Sequence, residues 1–254
     1  MWHGGPVPDY EQFARFYDSA MDDPTPRAAR VRGVIERHCP GVTSVLELGC
    51  GTGSILDQLT LLPTSPALTG MDRSPEMLAV ASSKVPGARL LLGDIAAFRL
   101  GEWFDVVVCV FDTLNHLPTF EAWQSMFDAV HEHLVDGGLF VFDVNTIGEL
   151  RRLGEEPPWV YDFGENVLIM DVALAEDGLS DWDIKIFEHV RGNRFTLHHE
   201  RIAELGVSLR QIKTALSPLF ELVEETSESG ETPTDSSVKA YFTYRRRPRS
   251  GHDP

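Results

Sequence analysis

Three carboxylates and a run of glycines stand out by type and spacing: Glu47, Asp72 and Asp94, with Glu47-Leu48-Gly49-Cys50-Gly51-Thr52-Gly53 as the densest segment. Glycine lets the chain turn sharply and lets a ligand approach where any Cβ would clash. The spacing G-x-G-x-G brings the third glycine one residue earlier than in the G-x-G-x-x-G fingerprint of dinucleotide sites, and Ser54 stands where that fingerprint has its last glycine. Glu47, two residues before the turn, would repel a pyrophosphate and suits a ligand bearing an ammonium and a sulfonium cation. Asp72 is placed to accept from both hydroxyls of a ribose, and Asp94 from an adenine amino group.

These residues need a scaffold that brings strand ends together. Short apolar strands are expected at 45–48, 67–71, 90–92, 104–111 and 139–142, with helices between them, the strongest carrying Phe120, Trp123, Phe127, Val130 and Leu134 at helical spacing. Such alternation predicts an α/β fold, a doubly wound and mostly parallel sheet, because parallel strands need crossover connections. Glu47, Asp72 and Asp94 then close neighbouring strands at their C-terminal ends, where open α/β sheets bind ligands. Before the sheet, Tyr10, Phe13, Tyr17 and Met21 predict one amphipathic helix. Asp22 to Pro24 interrupts it, and Thr25 caps a second helix with Pro26 at its first position.

After Asp143 the pattern changes. No good helix is expected between 148 and 206; three strand-like runs (167–175, 182–190 and 195–202), separated by Glu176-Asp177-Gly178 and Arg191-Gly192-Asn193, read as an inserted antiparallel meander. Ser208-Leu209-Arg210-Gln211 starts another helix as a capping box. Strands near 220–226 and 238–244 follow, and then a basic tail from Arg245 to Arg249. The expected division is an N-terminal helical cap (1–40), an α/β domain (41–147 and 207–245), an inserted antiparallel lid (148–206) and a disordered tail (246–254).

Composition narrows the function. The 254 residues include 39 acidic and 22 basic ones, a formal net charge of −17. Nucleic-acid binding draws on Lys and Arg to displace phosphate counterions, so no nucleic-acid partner is expected. Cys39, Cys50 and Cys109 are widely spaced, which suits a reducing cytoplasm and neither a disulfide framework nor a metal site. No signal peptide and no membrane partner are expected, since the longest apolar run, 106–111, falls far short of the ~20 residues that span a bilayer.

At this point the sequence resembles the class I S-adenosylmethionine-dependent methyltransferases. The resemblance lies in residues 45–53, Gly70-Met71-Asp72-Arg73-Ser74, Gly93-Asp94-Ile95, Phe104-Asp105-Val106-Val107 and Leu134-Val135-Asp136-Gly137-Gly138-Leu139. It implies a seven-stranded sheet whose last strand is antiparallel, and S-adenosyl-L-methionine as cofactor. The implied binding set is Glu47, Gly49, Cys50, Gly51 and Gly53, then Asp72 with Arg73 at the ribose, Asp94 with Ile95 at the adenine, and Val110. Met77 packs either near that ring or simply in the core.

The acceptor side is written less plainly. Phe111-Asp112-Thr113-Leu114-Asn115-His116-Leu117 lacks the Asn/Asp-Pro-Pro-aromatic pattern of family members that methylate bases or protein amides, and is similar to small-molecule N-methyltransferases, including those acting on amino sugars. A small-molecule methyl acceptor is therefore expected, attacked at nitrogen or oxygen. His116 is the candidate general base, because imidazole titrates near neutrality, and Tyr17 the candidate wall of the transfer site. Trp159, Tyr161 and Trp182 are candidate apolar walls from the insert. Glu188, His189, His198, His199 and Glu200 are candidate polar lining, without metal-ligand spacing. A non-catalytic cofactor-binding protein, a nicotinamide-dependent oxidoreductase and a protein methyltransferase are the competing readings.

Overall fold

The computed structural model describes residues 13–21, 23–175 and 178–248. Tyr10, Asp22, the Glu176-Asp177 turn and the tail from Arg249 lie outside the described residues. The chain runs through α1 (Ala14–Ala20), α2 (Thr25–His38), β1 (Ser44–Leu48), α3 (Ser54–Leu59), β2 (Ala67–Asp72), α4 (Pro75–Lys84), β3 (Arg89–Leu92) and β4 (Phe104–Cys109). A short 3-10 turn (Thr113–His116), α5 (Phe120–His133), β5 (Leu134–Asn145) and α6 (Ile147–Glu155) follow. Then come β6 (Trp159–Phe163), β7 (Asn166–Leu174), β8 (Leu179–Arg191), β9 (Arg194–Leu205), α7 (Leu209–Leu216), β10 (Phe220–Ser227) and β11 (Lys239–Arg246).

Seven strands form one sheet in the order β10-β11-β5-β4-β1-β2-β3. β1 pairs in parallel with both β2 and β4, whereas β11 runs antiparallel between β5 and β10. The central strands are apolar on both faces, and alternation divides them between two layers. Leu46, Leu48, Val107, Cys109, Phe140 and Phe142 pack with α5 and α7; Val45, Val106, Val108, Leu139 and Val141 pack with α2 and α3. Order reverses at β1, between β2 and β4, which opens the crevice where such sheets take ligands.

The insert is a second, four-stranded antiparallel sheet, β6-β7-β8-β9. It carries one strand more than the sequence predicts, β6, and a helix the sequence reading misses, α6. Thr146 caps α6 by accepting from Glu149 N at 3.2 Å, which satisfies one of the helix's free N–H groups. Gly148 within this helix serves close approach: its N–H donates to Asp235 O at 2.7 Å, and an added Cβ would sit 2.5 Å from that oxygen. Phe13 and Phe16 with Leu150 and Leu153 cover one face of this sheet, against Leu168, Val172, Trp182, Ile184 and Ile186.

Smaller corrections follow from side-chain chemistry. Thr25 lies inside α2, where its N–H donates to the Asp23 carboxylate at 2.9 Å, and Pro24 is the capping position. The tail expected to be disordered from 246 is still strand at its first residue, Arg246. That residue ends β11 as a buried side chain paired with Asp136, while Arg245 donates to Gly137 O at 2.8 Å and Arg247 to Phe220 O at 3.0 Å.

Candidate functional site

The turn after β1 is glycine-built because its backbone is left-handed three times, with φ of 69°, 51° and 78° at Gly49, Gly51 and Gly53. Gly49 N and Cys50 N both donate to Met71 O, at 2.8 and 3.0 Å, which ties the turn to β2. The three positions serve different ends. A Cβ on Gly49 would run into Thr113, and one on Gly53 would lie 3.1 Å from Ala81 Cβ, whereas one on Gly51 would meet nothing within 4 Å. Gly49 and Gly53 permit close packing; Gly51 leaves space for something else.

That space is a cavity of about 420 Å³ at the C-terminal ends of β1 to β4. Of the residues the sequence singles out, Glu47, Gly49, Cys50, Gly51, Asp72, Arg73, Met77, Asp94, Ile95, Val110, Tyr17 and His116 line it; Gly53 does not. Met77 and Cys50 are buried wall, and burial pushes the Cys50 thiol far up, so it stays protonated. Asp72 accepts from Gly51 N at 2.8 Å on one oxygen and from Ser74 N at 2.9 Å on the other. A carboxylate offers about four lone-pair sites, and the backbone N–H groups of Gly51, Ser74 and Arg73 draw on this one, so acceptor capacity remains for a ligand.

Glu47 is the most telling of these groups. It is 3% exposed, and its Oε2 is buried with no hydrogen-bond partner among the described residues. Burial, with Asp72 nearby, pushes its carboxyl well above the usual range. A buried, unsatisfied acceptor is costly, and a cationic ligand with N–H donors would satisfy it. With Asp72 and Asp94 on the adjoining strand ends and Gly51 opening the wall, the residues present fit S-adenosylmethionine.

The other side of the cavity is assembled differently. The chain leaves β4 through Phe111 and Asp112, both non-glycine and both left-handed, with φ of 63° and 59°. Such backbone costs ~1–3 kcal/mol per residue and persists only where its surroundings impose it. Asp143, fully buried on β5, supplies the restraint by accepting from Phe111 N at 3.3 Å and Asp112 N at 2.9 Å. Although burial pushes the other way, Lys239 and Arg27 hold the Asp112 carboxyl below the usual range, and Lys239 bonds it directly. Arg27 also lies 4.2 Å from the centre of the Phe111 ring.

His116 closes the 3-10 turn, with Nδ1 3.3 Å from Ala203 O. A neutral ring that donates there carries its basic lone pair on Nε2. Burial lowers its pKa against the opposing pull of Asp112, so the ring is neutral at pH 7. Tyr17 faces the same cavity as a protonated phenol, since burial and then Asp112 push its pKa far up. Among the described residues of the insert, Ile202 and Ala203 alone reach the cavity.

The insert's predicted lining is therefore corrected. Trp182 is buried under α1 and α6, and Trp159 lies tilted against it with ring centroids 6.1 Å apart. Tyr161 is half exposed, and neither it nor the tryptophans line the cavity. Glu188 and His198 pair with each other at 2.9 Å, His199 with Asp183 at 3.2 Å, His189 with Glu165 at 3.2 Å, and Glu200 accepts from Phe13 N at 3.0 Å. The sequence reading misses Phe111, Ile202 and Ala203 as lining. It also misses the latch in which Asp18 of α1 accepts from Thr52 Oγ1 at 2.6 Å and from Lys84 Nζ at 2.5 Å.

Comparison with known proteins agrees with this geometry. Residues 45–138 match a family model described as a methyltransferase domain. The chain is 33% identical over 148 residues to dTDP-3-amino-3,6-dideoxy-alpha-D-glucopyranose N,N-dimethyltransferase of Streptomyces fradiae, a match covering 55% of this chain and 56% of that enzyme. It thus spans just over half the length of that relative. A solved structure, an S-adenosylmethionine-dependent methyltransferase from Clostridium acetobutylicum ATCC 824, superimposes with a TM-score of 0.82 at 22% identity, covering 94% of this chain and 99% of that one. At that identity the likeness speaks for the fold. The fullest sequence match of these is to putative methyltransferase YqeM of Bacillus subtilis strain 168, 34% identical over 201 residues, covering 76% of this chain and 79% of that protein. With that extent of shared sequence on this sheet and this turn, the chain belongs to the class I S-adenosylmethionine-dependent methyltransferases.

Proposed function

We propose that the protein moves a methyl group from S-adenosylmethionine to the nitrogen of a small amine, with an amino sugar as the first acceptor class to try. The observation that carries the reading is the unsatisfied buried oxygen of Glu47, set between the open side of Gly51 and the carboxylate of Asp72 in one cavity. When bound there, the cofactor supplies a methyl carbon on a positively charged sulfur. Glu47 and the glycine turn hold its amino-acid part, Asp72 and Arg73 its ribose, and Asp94 with Ile95 its adenine.

The chain's own part in the transfer is alignment, water exclusion and one proton. Tyr17, Phe111, Leu117 and Ile202 wall the acceptor side of the cavity. Orientation of this kind is worth up to ~7–11 kcal/mol. His116, neutral in its buried place, takes a proton from the incoming ammonium and leaves the nitrogen lone pair to react. The Streptomyces fradiae relative is named for methylating an amino sugar, which supports the same class. The net charge of −17 argues against a nucleic-acid acceptor, and the unpaired cysteines suit the cytoplasm. Among the described residues no helix is long and apolar enough to cross a membrane.

The test is a thermal-shift titration with S-adenosylmethionine and S-adenosylhomocysteine, followed by transfer of labelled methyl to amino sugars, other amines, phenols and carboxylic acids. Ligand at a hundredfold over its Kd adds ~2.7 kcal/mol of stability. No shift at saturation would remove the cofactor assignment. Label on hydroxyls or carboxylates with none on any amine would remove the nitrogen assignment.

A further inference from the structure

Three buried polar residues that do not line the cavity meet around its acceptor-side turn: Asp143 on β5, Lys239 on β11 and Asn115 in the 3-10 turn. Asp143 takes the backbone N–H groups of Phe111 and Asp112, the two consecutive left-handed residues. Lys239 Nζ donates to the Asp112 carboxylate and, at 2.7 Å, to Asn145 Oδ1. Asn115 Nδ2 donates to Asn145 O and to Leu205 O, both at 3.0 Å, while its Oδ1 accepts from Asn145 N at 3.0 Å. The turn is thereby joined at once to the main sheet and to the last strand of the insert, and its next residue, His116, touches that strand at Ala203 O.

We propose that Asp143, Lys239 and Asn115 are positioning residues for methyl transfer, a buried brace that fixes the 111–116 turn so that Phe111 and His116 present a set geometry to the acceptor. The proposal rests on the function given above. Its physical basis is that a phenylalanine does not hold positive φ unaided. The strained backbone must be imposed from outside, and strain of this kind gathers where a site needs exact placement. Two cavity-lining side chains, Phe111 and His116, bracket the braced segment.

A brace that only stabilised the fold would, when broken, lower stability, cofactor affinity and turnover together. A positioning brace lowers kcat while the cofactor half of the cavity, built on β1 to β3, binds as before. Asp143→Asn tests this: the amide can accept only one of the two backbone N–H groups and turns its own N–H toward the other. The expected result is a fall in kcat of about 100-fold, the scale of a 1 Å misplacement. The Kd for S-adenosylhomocysteine should stay within about twofold, and the amides of Phe111 and Asp112 should lose their protection from hydrogen exchange.

Lys239→Gln, which keeps a donor and removes the charge, provides the same reading if Asp143→Asn does not fold, with a drop in kcat of about tenfold expected. Wild-type kcat in either folded variant overturns the proposal, and so does a loss of cofactor affinity equal to the loss of kcat. If the unmodified protein methylates no amine, the proposed function fails. The exchange measurement still decides whether Asp143 holds the turn, so the two failures are told apart.

Discussion

The two halves of the cavity are built by opposite strategies. The half proposed for the cofactor takes Glu47, the glycine turn, Asp72, Arg73, Asp94 and Ile95 from the ends of three adjacent parallel strands, within fifty residues of chain. The half proposed for the acceptor takes Tyr17 from α1, Phe111 and His116 from the turn after β4, and Ile202 and Ala203 from the insert, with Asp143 and Lys239 behind. In the first, the parallel register of the sheet sets the geometry; in the second, long-range hydrogen bonds set it. The halves should therefore fail independently. Gly51→Val gives the largest expected effect: its side chain enters the cavity, and a β-branched residue does not hold φ of 51°. Isothermal titration should find no cofactor binding, and wild-type affinity would break the division at its root.

His116→Ala should do the reverse, leaving cofactor affinity unchanged while kcat falls by about 10²-fold or more, the usual worth of a general base. The pH profile sharpens this. Burial lowers the His116 pKa in the folded protein, so the ring stays neutral and basic at lower pH than an ordinary histidine. The acid limb of kcat should lie below the usual histidine value of 6.5 and disappear in the variant. A variant that loses cofactor affinity in step with kcat would mean that the halves are one unit.

This contrast also explains what could be read from the sequence. The α/β alternation and the cofactor half were legible because each is local: a glycine turn between a strand and a helix, then an acid at the next two strand ends. The acceptor half was only partly legible. His116 and Tyr17 announce themselves by residue type, but Asp112 and Lys239 are 127 positions apart, and no spacing rule joins them. Ile202 and Ala203 look like any strand residues until the insert folds back over the sheet ends. The aromatic and histidine residues of β6 to β9 misled for the converse reason. Their types suggest a site, but α1 and α6 pack Trp159 and Trp182 into an ordinary core, while the histidines pair with neighbouring carboxylates and Tyr161 stays half exposed. Helix α6 itself was missed, and the packing of its Gly148 against Asp235 cannot be seen before that loop is in place.

A third prediction concerns the joint between insert and sheet. Glu204, 3% exposed on β9, accepts from Asn145 Nδ2 at 2.8 Å and faces Asp112, Asp143 and Lys239. Burial, with Asp112 beside it, raises its pKa from 4.5 to about 8. Between those values the folded protein holds a proton that the unfolded chain has released, so stability is highest below the lower value and declines as pH rises toward the upper one. Glu204→Gln keeps the bond from Asn145 and removes the titration. Denaturant melts from pH 5 to 8 should then show a flatter decline in the variant than in the wild type, where this group contributes up to ~1.4 kcal/mol per pH unit. Parallel curves would mean that Glu204 titrates as it does in the unfolded chain.

The smallest effect belongs to the element that spans both halves. α1 carries Tyr17 into the acceptor wall, and through its next residue, Asp18, grips the cofactor turn at Thr52 and Ser54 and the end of α4 at Lys84. Although partial burial opposes it, those hydrogen bonds hold the Asp18 carboxyl below its usual range, so the latch is charged at neutral pH. The Asp18–Lys84 pair is partly exposed, at 42% and 26%, and exposed pairs are weak. Asp18→Asn should therefore weaken cofactor binding only by about fivefold, roughly 1 kcal/mol. Unlike Gly51→Val or His116→Ala, it should lower kcat as well, because loosening α1 withdraws Tyr17 from the acceptor side. Titration and turnover measured on the one variant decide the point. An effect confined to affinity would assign α1 wholly to the cofactor half, leaving Tyr17 as a packed aromatic with no part in transfer.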